Sequence, residues 1–157
     1  MNYKAVLGII GKCMVILGIF MLIPMVVGFI YNEDTFISFL IPIASLFVIG
    51  FPLTKIKRKE ASIYTKEGFV SVALVWIIMS LFGALPFVIY GAIPNYIDAF
   101  FETVSGFTTT GASILKDVEA LSRGLLFWRS FTHWVGGMGI LVFVVAMTNS
   151  VSDRSIH

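Results

Sequence analysis

Residues 106 to 113 read Gly106-Phe107-Thr108-Thr109-Thr110-Gly111-Ala112-Ser113, a run of small and hydroxyl side chains that neither continues a helix well nor resembles an ordinary surface loop. What such a segment offers chemically is backbone oxygen. Gly111 can take a positive φ and aim a carbonyl where a residue with a Cβ would resist. The threonine hydroxyls can satisfy polar groups behind exposed carbonyls. Carbonyls presented in successive rings by an extended chain replace the hydration shell of a cation such as K+. A lone Thr-Thr-Gly in a soluble domain would mean very little, so its meaning here depends on the elements that hold it.

Those elements are membrane helices. The chain has 157 residues, 58% hydrophobic and 13% charged, with a mean hydropathy of +0.96, far outside the range of a soluble domain of this length. The pI near 8.8 invites a nucleic-acid reading. The net charge is only +2, however, and most of the basic residues lie in one short loop between apolar spans, which is a positive-inside pattern and not a phosphate-binding stripe. Cys13 stands alone in an apolar run, where packing is its expected role. The apolar run from Ala5 to Ile30 is too long for a signal-peptide core, and no small-x-small cleavage site follows it. It is read as a retained helix.

A helix needs about 20 apolar residues to cross the hydrocarbon core. Four segments qualify: Ala5 to Ile30, Phe36 to Leu53, Phe69 to Tyr90, and Arg123 to Asn149, with Pro42 and Pro86 as tolerated kink sites. Lys4, the run Lys55-Ile56-Lys57-Arg58-Lys59, Lys66 and Arg154 fall on one side, which the positive-inside rule makes cytoplasmic. Both termini are then inside. Glu33, Asp34, Asp98, Glu102, Asp117 and Glu119 fall toward the other side. Lys12, near the inner end of the first span, can snorkel to the interface.

Between the third and fourth spans, Pro94 and Asn95 offer a helix start, and Tyr96 to Ser105 gives an amphipathic run of about ten residues, enough to reach halfway across a membrane. Two readings fit. One is an interfacial helix followed by a Thr/Gly-rich outer loop. The other is a re-entrant pore segment, tolerated only where its backbone is buried in protein or lines water. The flanking spans, the carbonyl end of the half-helix aimed inward where it favours a cation, and the composition of the following loop favour the pore.

The segment Phe101-Glu102-Thr103-Val104-Ser105-Gly106-Phe107-Thr108-Thr109-Thr110-Gly111-Ala112-Ser113 resembles the first pore loop of the TrkH, TrkG and KtrB potassium uptake family. Phe127-Trp128-Arg129-Ser130-Phe131-Thr132-His133-Trp134-Val135-Gly136-Gly137-Met138-Gly139-Ile140 resembles the second helix of the same repeat. The resemblance extends over the whole chain. It implies an all-α integral membrane protein: a helix pair with a basic cytoplasmic loop over 1–60, then the first helix, pore-loop, helix repeat over 61–157. It further implies that Thr108, Thr109, Thr110, Gly111, Ala112 and Ser113 form one quarter of a selectivity filter, with K+ at Thr109, Thr110 and Gly111. The implied setting is the cell inner or plasma membrane, and the implied partner is a cytosolic nucleotide-binding ring of the TrkA or KtrA kind. No enzyme is implied, and K+ is the transported ion, with no other cofactor. The chain departs from the family pattern in containing one repeat of four, so conduction requires the remaining repeats or fourfold self-assembly. The alternative is a truncated, non-conducting membrane module or scaffold.

Other side chains are weighed singly. Arg129, about two turns inside the last span, either pairs with Glu102 on the half-helix or snorkels outward. His133 shares its face and is expected to be hydrogen-bonded packing. Gly136, Gly137 and Gly139 offer close backbone approach, as a packing surface for the half-helix or a neighbouring repeat, or as a bend. Trp76, Trp128 and Trp134 are expected to anchor or fill the core.

Overall fold

The apolar spans form the helices their lengths demand. The protein, described by a computed structural model, is ordered as α1 (Tyr3–Ile30), α2 (Phe36–Thr54), α3 (Thr65–Gly83), α4 (Leu85–Tyr90), α5 (Tyr96–Phe107), a 3-10 turn at Val118–Ala120, and α6 (Arg123–Arg154). The structure describes residues 2–56 and 65–154, with side chains as far as residue 145. Lys57, Arg58 and Lys59 of the basic loop, and the boundary expected between residues 60 and 61, lie outside the described residues. The chain is an all-α membrane protein. Among the described residues, three helices are long and apolar enough to cross a membrane: Tyr3–Ile30, Phe36–Thr54 and Thr65–Tyr90. The fourth expected span coincides with α6, which runs 32 residues.

Prolines act differently in the second and third spans. Pro42 sits inside α2 without breaking it, and Ser45 Oγ donates to the Pro42 carbonyl at 2.8 Å. Pro86 comes with a true interruption: α3 stops at Gly83 and α4 restarts at Leu85. Proline has no N–H and its ring crowds the carbonyl four residues back, so the ladder fails there. In lipid the freed carbonyls need other donors. Trp128 Nε1 donates to Gly83 O at 2.9 Å, and the Tyr96 hydroxyl donates to Leu81 O at 2.6 Å.

Trp128 is also the centre of the core. It is fully buried and meets Phe39 of α2 and Phe107 of α5 edge-on, with ring centroids 6.5 and 6.3 Å away, a favoured aromatic geometry. Leu17, Met21, Leu46, Phe87 and Leu125 belong to the same buried cluster. The helix pair α1 and α2 therefore packs onto the same core as the later helices.

Both ends are tied by carboxylates. Glu33, in the turn between α1 and α2, accepts from Arg123 N at 2.6 Å and Gly124 N at 3.1 Å, capping the start of α6, where unpaired N–H groups and the helix dipole favour an anion. The Arg123 guanidinium lies 5.4 Å from the centroid of the Tyr31 ring. At the other end the Asn2 backbone N–H donates to Glu67 at the start of α3. Large apolar side chains such as Phe29, Val48, Ile97 and Leu141 are exposed, as hydrocarbon or further protein permits.

The Trp128 contact to the broken span is testable. Trp128→Phe keeps the ring in the core but leaves the buried Gly83 carbonyl without a donor, which should lower stability by about 1–3 kcal/mol. Thermal unfolding of purified protein in detergent checks this; an unchanged midpoint would mean the indole N–H contributes nothing.

Candidate functional site

Asn95 starts α5 by accepting from Ile97 N at 2.9 Å, the side-chain cap that satisfies an otherwise orphaned N–H. The helix runs 12 residues, two beyond the expected end at Ser105, or about 18 Å at 1.5 Å per residue. It descends between α3 and α6. Its start touches Leu81, late in α3, and its last residue touches Trp76, near the midpoint of the third span. Along α6 it meets Arg129 through Glu102, then Thr132 beside Gly106, then Gly136 beside Phe107.

The tip of α5 is held by close approach. A Cβ at Gly136 would sit inside the Phe107 peptide group, so no larger residue fits without moving the half-helix. Trp76 Nε1 donates to the Phe107 carbonyl at 3.2 Å. Gly137 lies against the Thr109 methyl group, and Gly139 faces the Trp76 ring. Trp76 and Trp128 thus do more than the filling or anchoring expected of them: each donates its indole N–H to a carbonyl at an interrupted helix. Alternation and hydropathy carry no signal for this, because the acceptors are main-chain groups.

Beyond Phe107 the chain folds back on the last turn of α5. Thr108 N donates to Val104 O at 2.9 Å, Thr109 N to Gly106 O at 3.0 Å and Thr110 N to Ser105 O at 2.9 Å. Gly111 has φ +80°, the left-handed conformation expected of it. Thr109 also has a positive φ, +58°, uncommon for a β-branched residue and not legible in the sequence. Thr108 Oγ1 donates to Val104 O at 2.7 Å, and Thr109 Oγ1 to Thr108 O at 2.7 Å. Ser105 Oγ donates to Ala112 O at 2.5 Å. The six residues Thr108 to Ser113 are all exposed. The carbonyls of Thr109, Thr110 and Gly111 accept no hydrogen bond from any described residue.

Behind the loop stands one carboxylate. The Glu102 side chain is 1% exposed and accepts from Arg129 Nε at 2.6 Å, Ser113 Oγ at 2.9 and 3.1 Å, and Ile114 N at 2.9 Å. Of the two placements open to Arg129, the structure has the ion pair. His133 Nδ1 lies 2.9 Å from Arg129 O, a hydrogen-bonded packing position.

The site thus combines a broken span, a 12-residue helix packed between α3 and α6, and an exposed loop whose carbonyls at Thr109, Thr110 and Gly111 are unpaired among the described residues. The model of the TrkH family, a family of cation transport proteins, matches residues 34–156. The chain belongs to the TrkH family. It is 40% identical over 154 residues to an uncharacterized cation transporter of Methanocaldococcus jannaschii, covering 96% of this chain and 32% of that protein. It is 38% identical over 150 residues to the Trk system potassium uptake protein TrkH of Escherichia coli, covering 94% and 31%. The crystal structure of the potassium transporter TrkH from Vibrio parahaemolyticus matches with a TM-score of 0.86 at 33% identity, covering 94% of this chain and 32% of that one. The chain spans about a third of the length of these relatives.

The Glu102–Arg129 pair yields a quantitative expectation. Removing either partner strands a buried charge and should cost about 3–5 kcal/mol, whereas Glu102→Gln with Arg129→Met should cost clearly less than the sum of the two single changes. A double-mutant cycle on unfolding in detergent measures this. Additive effects would mean the two charges are not energetically coupled.

Proposed function

We propose that this chain is the N-terminal part of a potassium uptake protein, and that Thr108 to Ser113 contributes one quarter of its selectivity filter through backbone carbonyls. The observation that carries the reading is the set of three carbonyls, at Thr109, Thr110 and Gly111 of an exposed loop, that take no hydrogen bond from a described residue and follow the C-terminal end of a half-helix. Free carbonyls at membrane depth require water or a cation. The α5 dipole places partial negative charge at that same end, so a cation is the better partner. These are the residues at which K+ is expected.

In this reading residues 1–60 form a supporting helix pair and residues 61–157 the first pore repeat. Glu102, Arg129, Gly136, Gly137 and Gly139 hold the filter in place without touching the ion. The protein sits in the cell inner or plasma membrane with both described ends cytoplasmic. The remaining three quarters of the ring come from further repeats or further copies of the chain, and a cytosolic nucleotide-binding partner of the TrkA or KtrA kind regulates uptake. Names of similar proteins support K+ as the cargo: the Escherichia coli relatives include Trk system potassium uptake proteins TrkH and TrkG.

The test is Gly111→Ser in the full-length parent protein. Gly111 has open space where its Cβ would be, so packing should survive. The left-handed backbone costs a residue with a Cβ about 1–2 kcal/mol, which shifts one carbonyl in the ring. The sodium-to-potassium uptake ratio should rise severalfold at equal membrane level, up to about tenfold for 1.4 kcal/mol of lost differential binding. An unchanged ratio would remove Gly111 from the ion path. The chain alone, verified as a monomer in a bilayer, should carry no potassium current, since one wall does not enclose an ion.

A further inference from the structure

From the contacts of Glu102 we infer that this residue sets ion selectivity from behind the filter, as a positioning residue that fixes the backbone at Ser113 and Ile114. The inference rests on the reading of Thr108 to Ser113 as filter.

The exposed carbonyls of Thr109, Thr110 and Gly111 can discriminate between cations only if the chain on both sides of them is fixed. On the upstream side, fixation comes from α5 itself: the amides of Thr108, Thr109 and Thr110 are bound to the last carbonyls of the helix. On the downstream side there is no helix and no strand. The segment from Ala112 to Leu115 is irregular and largely exposed, and two side chains of α5 hold it. Ser105 Oγ donates to Ala112 O at 2.5 Å. Glu102 takes the Ser113 hydroxyl on both carboxylate oxygens, at 2.9 and 3.1 Å, and the Ile114 amide at 2.9 Å. Ser113 Oγ in turn accepts from Leu115 N at 3.1 Å, so the Glu102 contact organises three consecutive residues.

A carboxylate suits this position because it is acceptor-only, with about four lone-pair sites over two oxygens. All the contacts here are donors: one guanidinium nitrogen, one hydroxyl and one amide. Hydrogen bonds to an ionised acceptor are roughly twice as strong as neutral ones, and Glu102 is buried, where such bonds are least screened. Arg129 fixes the carboxylate from α6. The downstream half of the loop is thereby registered against α6 through a single side chain. Glutamine at this position has one acceptor oxygen, which placed at Oε1 can keep Arg129 and the Ser113 hydroxyl. Its NH2 then faces the Ile114 amide, a donor against a donor, so the loop loses that anchor. The effect reaches the ion only through the backbone, since Glu102 lies behind the loop and Ser113 stands between.

The experiment compares Glu102→Gln, Ser113→Ala and Gly111→Ser in the full-length parent protein, expressed in a transport-deficient bacterium. Three quantities are read: the sodium-to-potassium uptake ratio, the potassium concentration for half-maximal uptake, and the amount of protein in the membrane. Glu102→Gln should raise the ratio on the order of tenfold, the equivalent of about 1.4 kcal/mol, and raise the half-maximal concentration more than it lowers the maximal rate per protein. Ser113→Ala leaves the Glu102–Arg129 pair intact and removes only the loop's hydroxyl, so it should raise the ratio by a smaller factor. It decides the matter alone if Glu102→Gln does not accumulate. A purely structural Glu102 would lower protein amount and leave the ratio unchanged. If Gly111→Ser shifts the ratio while Ser113→Ala and any accumulating Glu102→Gln do not, the positioning role is overturned and the filter assignment stands. If none of the three shifts it, the filter assignment falls and takes this inference with it.

Discussion

The half-helix exists because the backbone of Phe107 can lie directly on α6 at Gly136. A helix end leaves its last carbonyls without intrahelical partners. Here each is accounted for. Val104, Ser105 and Gly106 accept from the amides of Thr108, Thr110 and Thr109 as the chain folds back, and Phe107 accepts from the Trp76 indole. Both arrangements require α5 to stand within a hydrogen bond's reach of α3 and flush against α6. With any side chain at Gly136, the tip of α5 would be displaced and the loop after it would lose its frame.

The same economy of donors explains the interruption of the third span. The break at Ala84 frees carbonyls on α3, and the residues that satisfy them, Tyr96 and Trp128, belong to the elements that must pack there. Each hydrogen bond ties α5 or α6 to the site of the break. A continuous third span would offer these side chains no acceptor. Glu102 follows the same logic with a charge. A lone buried carboxylate is costly, and a single arginine contact leaves most of its acceptor capacity unused. The loop supplies the remaining donors, so burial of the charge and ordering of the loop are one event.

Much of the architecture is legible in the sequence because lipid makes length and hydropathy decisive. The bounds of α1, α2 and α6 at their outer ends fall within two residues of the apolar runs, and Asn95 marks the start of α5 as a cap residue should. Gly111 is readable too, since few residues other than glycine take its φ. What the sequence conceals is long-range and addressed to main-chain atoms. Glu33 reads as one outer acidic residue among several, yet it caps a helix ninety residues away in the chain. Trp76 and Trp128 read as filling, although their N–H groups have specific acceptors. Thr109 with positive φ contradicts its own propensity, and a local rule broken in this way is expected where the surroundings over-determine the backbone.

The three exposed carbonyls impose a last constraint. At the tip of α5 and at the broken span, side chains reach freed main-chain oxygens, and the Ala112 carbonyl beside the three is itself bound by Ser105. Thr109, Thr110 and Gly111 differ by arrangement of the same backbone that satisfies its neighbours, since their amides and flanking residues are held while their oxygens take no hydrogen bond from a described residue. Lipid cannot face such oxygens. In the proposed reading they border an enclosed aqueous or ionic space, and one loop does not enclose it. A ring of four similar loops would, and each would contribute one oxygen in four at every level. In that reading the contribution of this chain to selectivity is partial by geometry, and its rigidity matters more than its chemical identity, because an oxygen displaced in one quarter distorts the coordination that the other three offer.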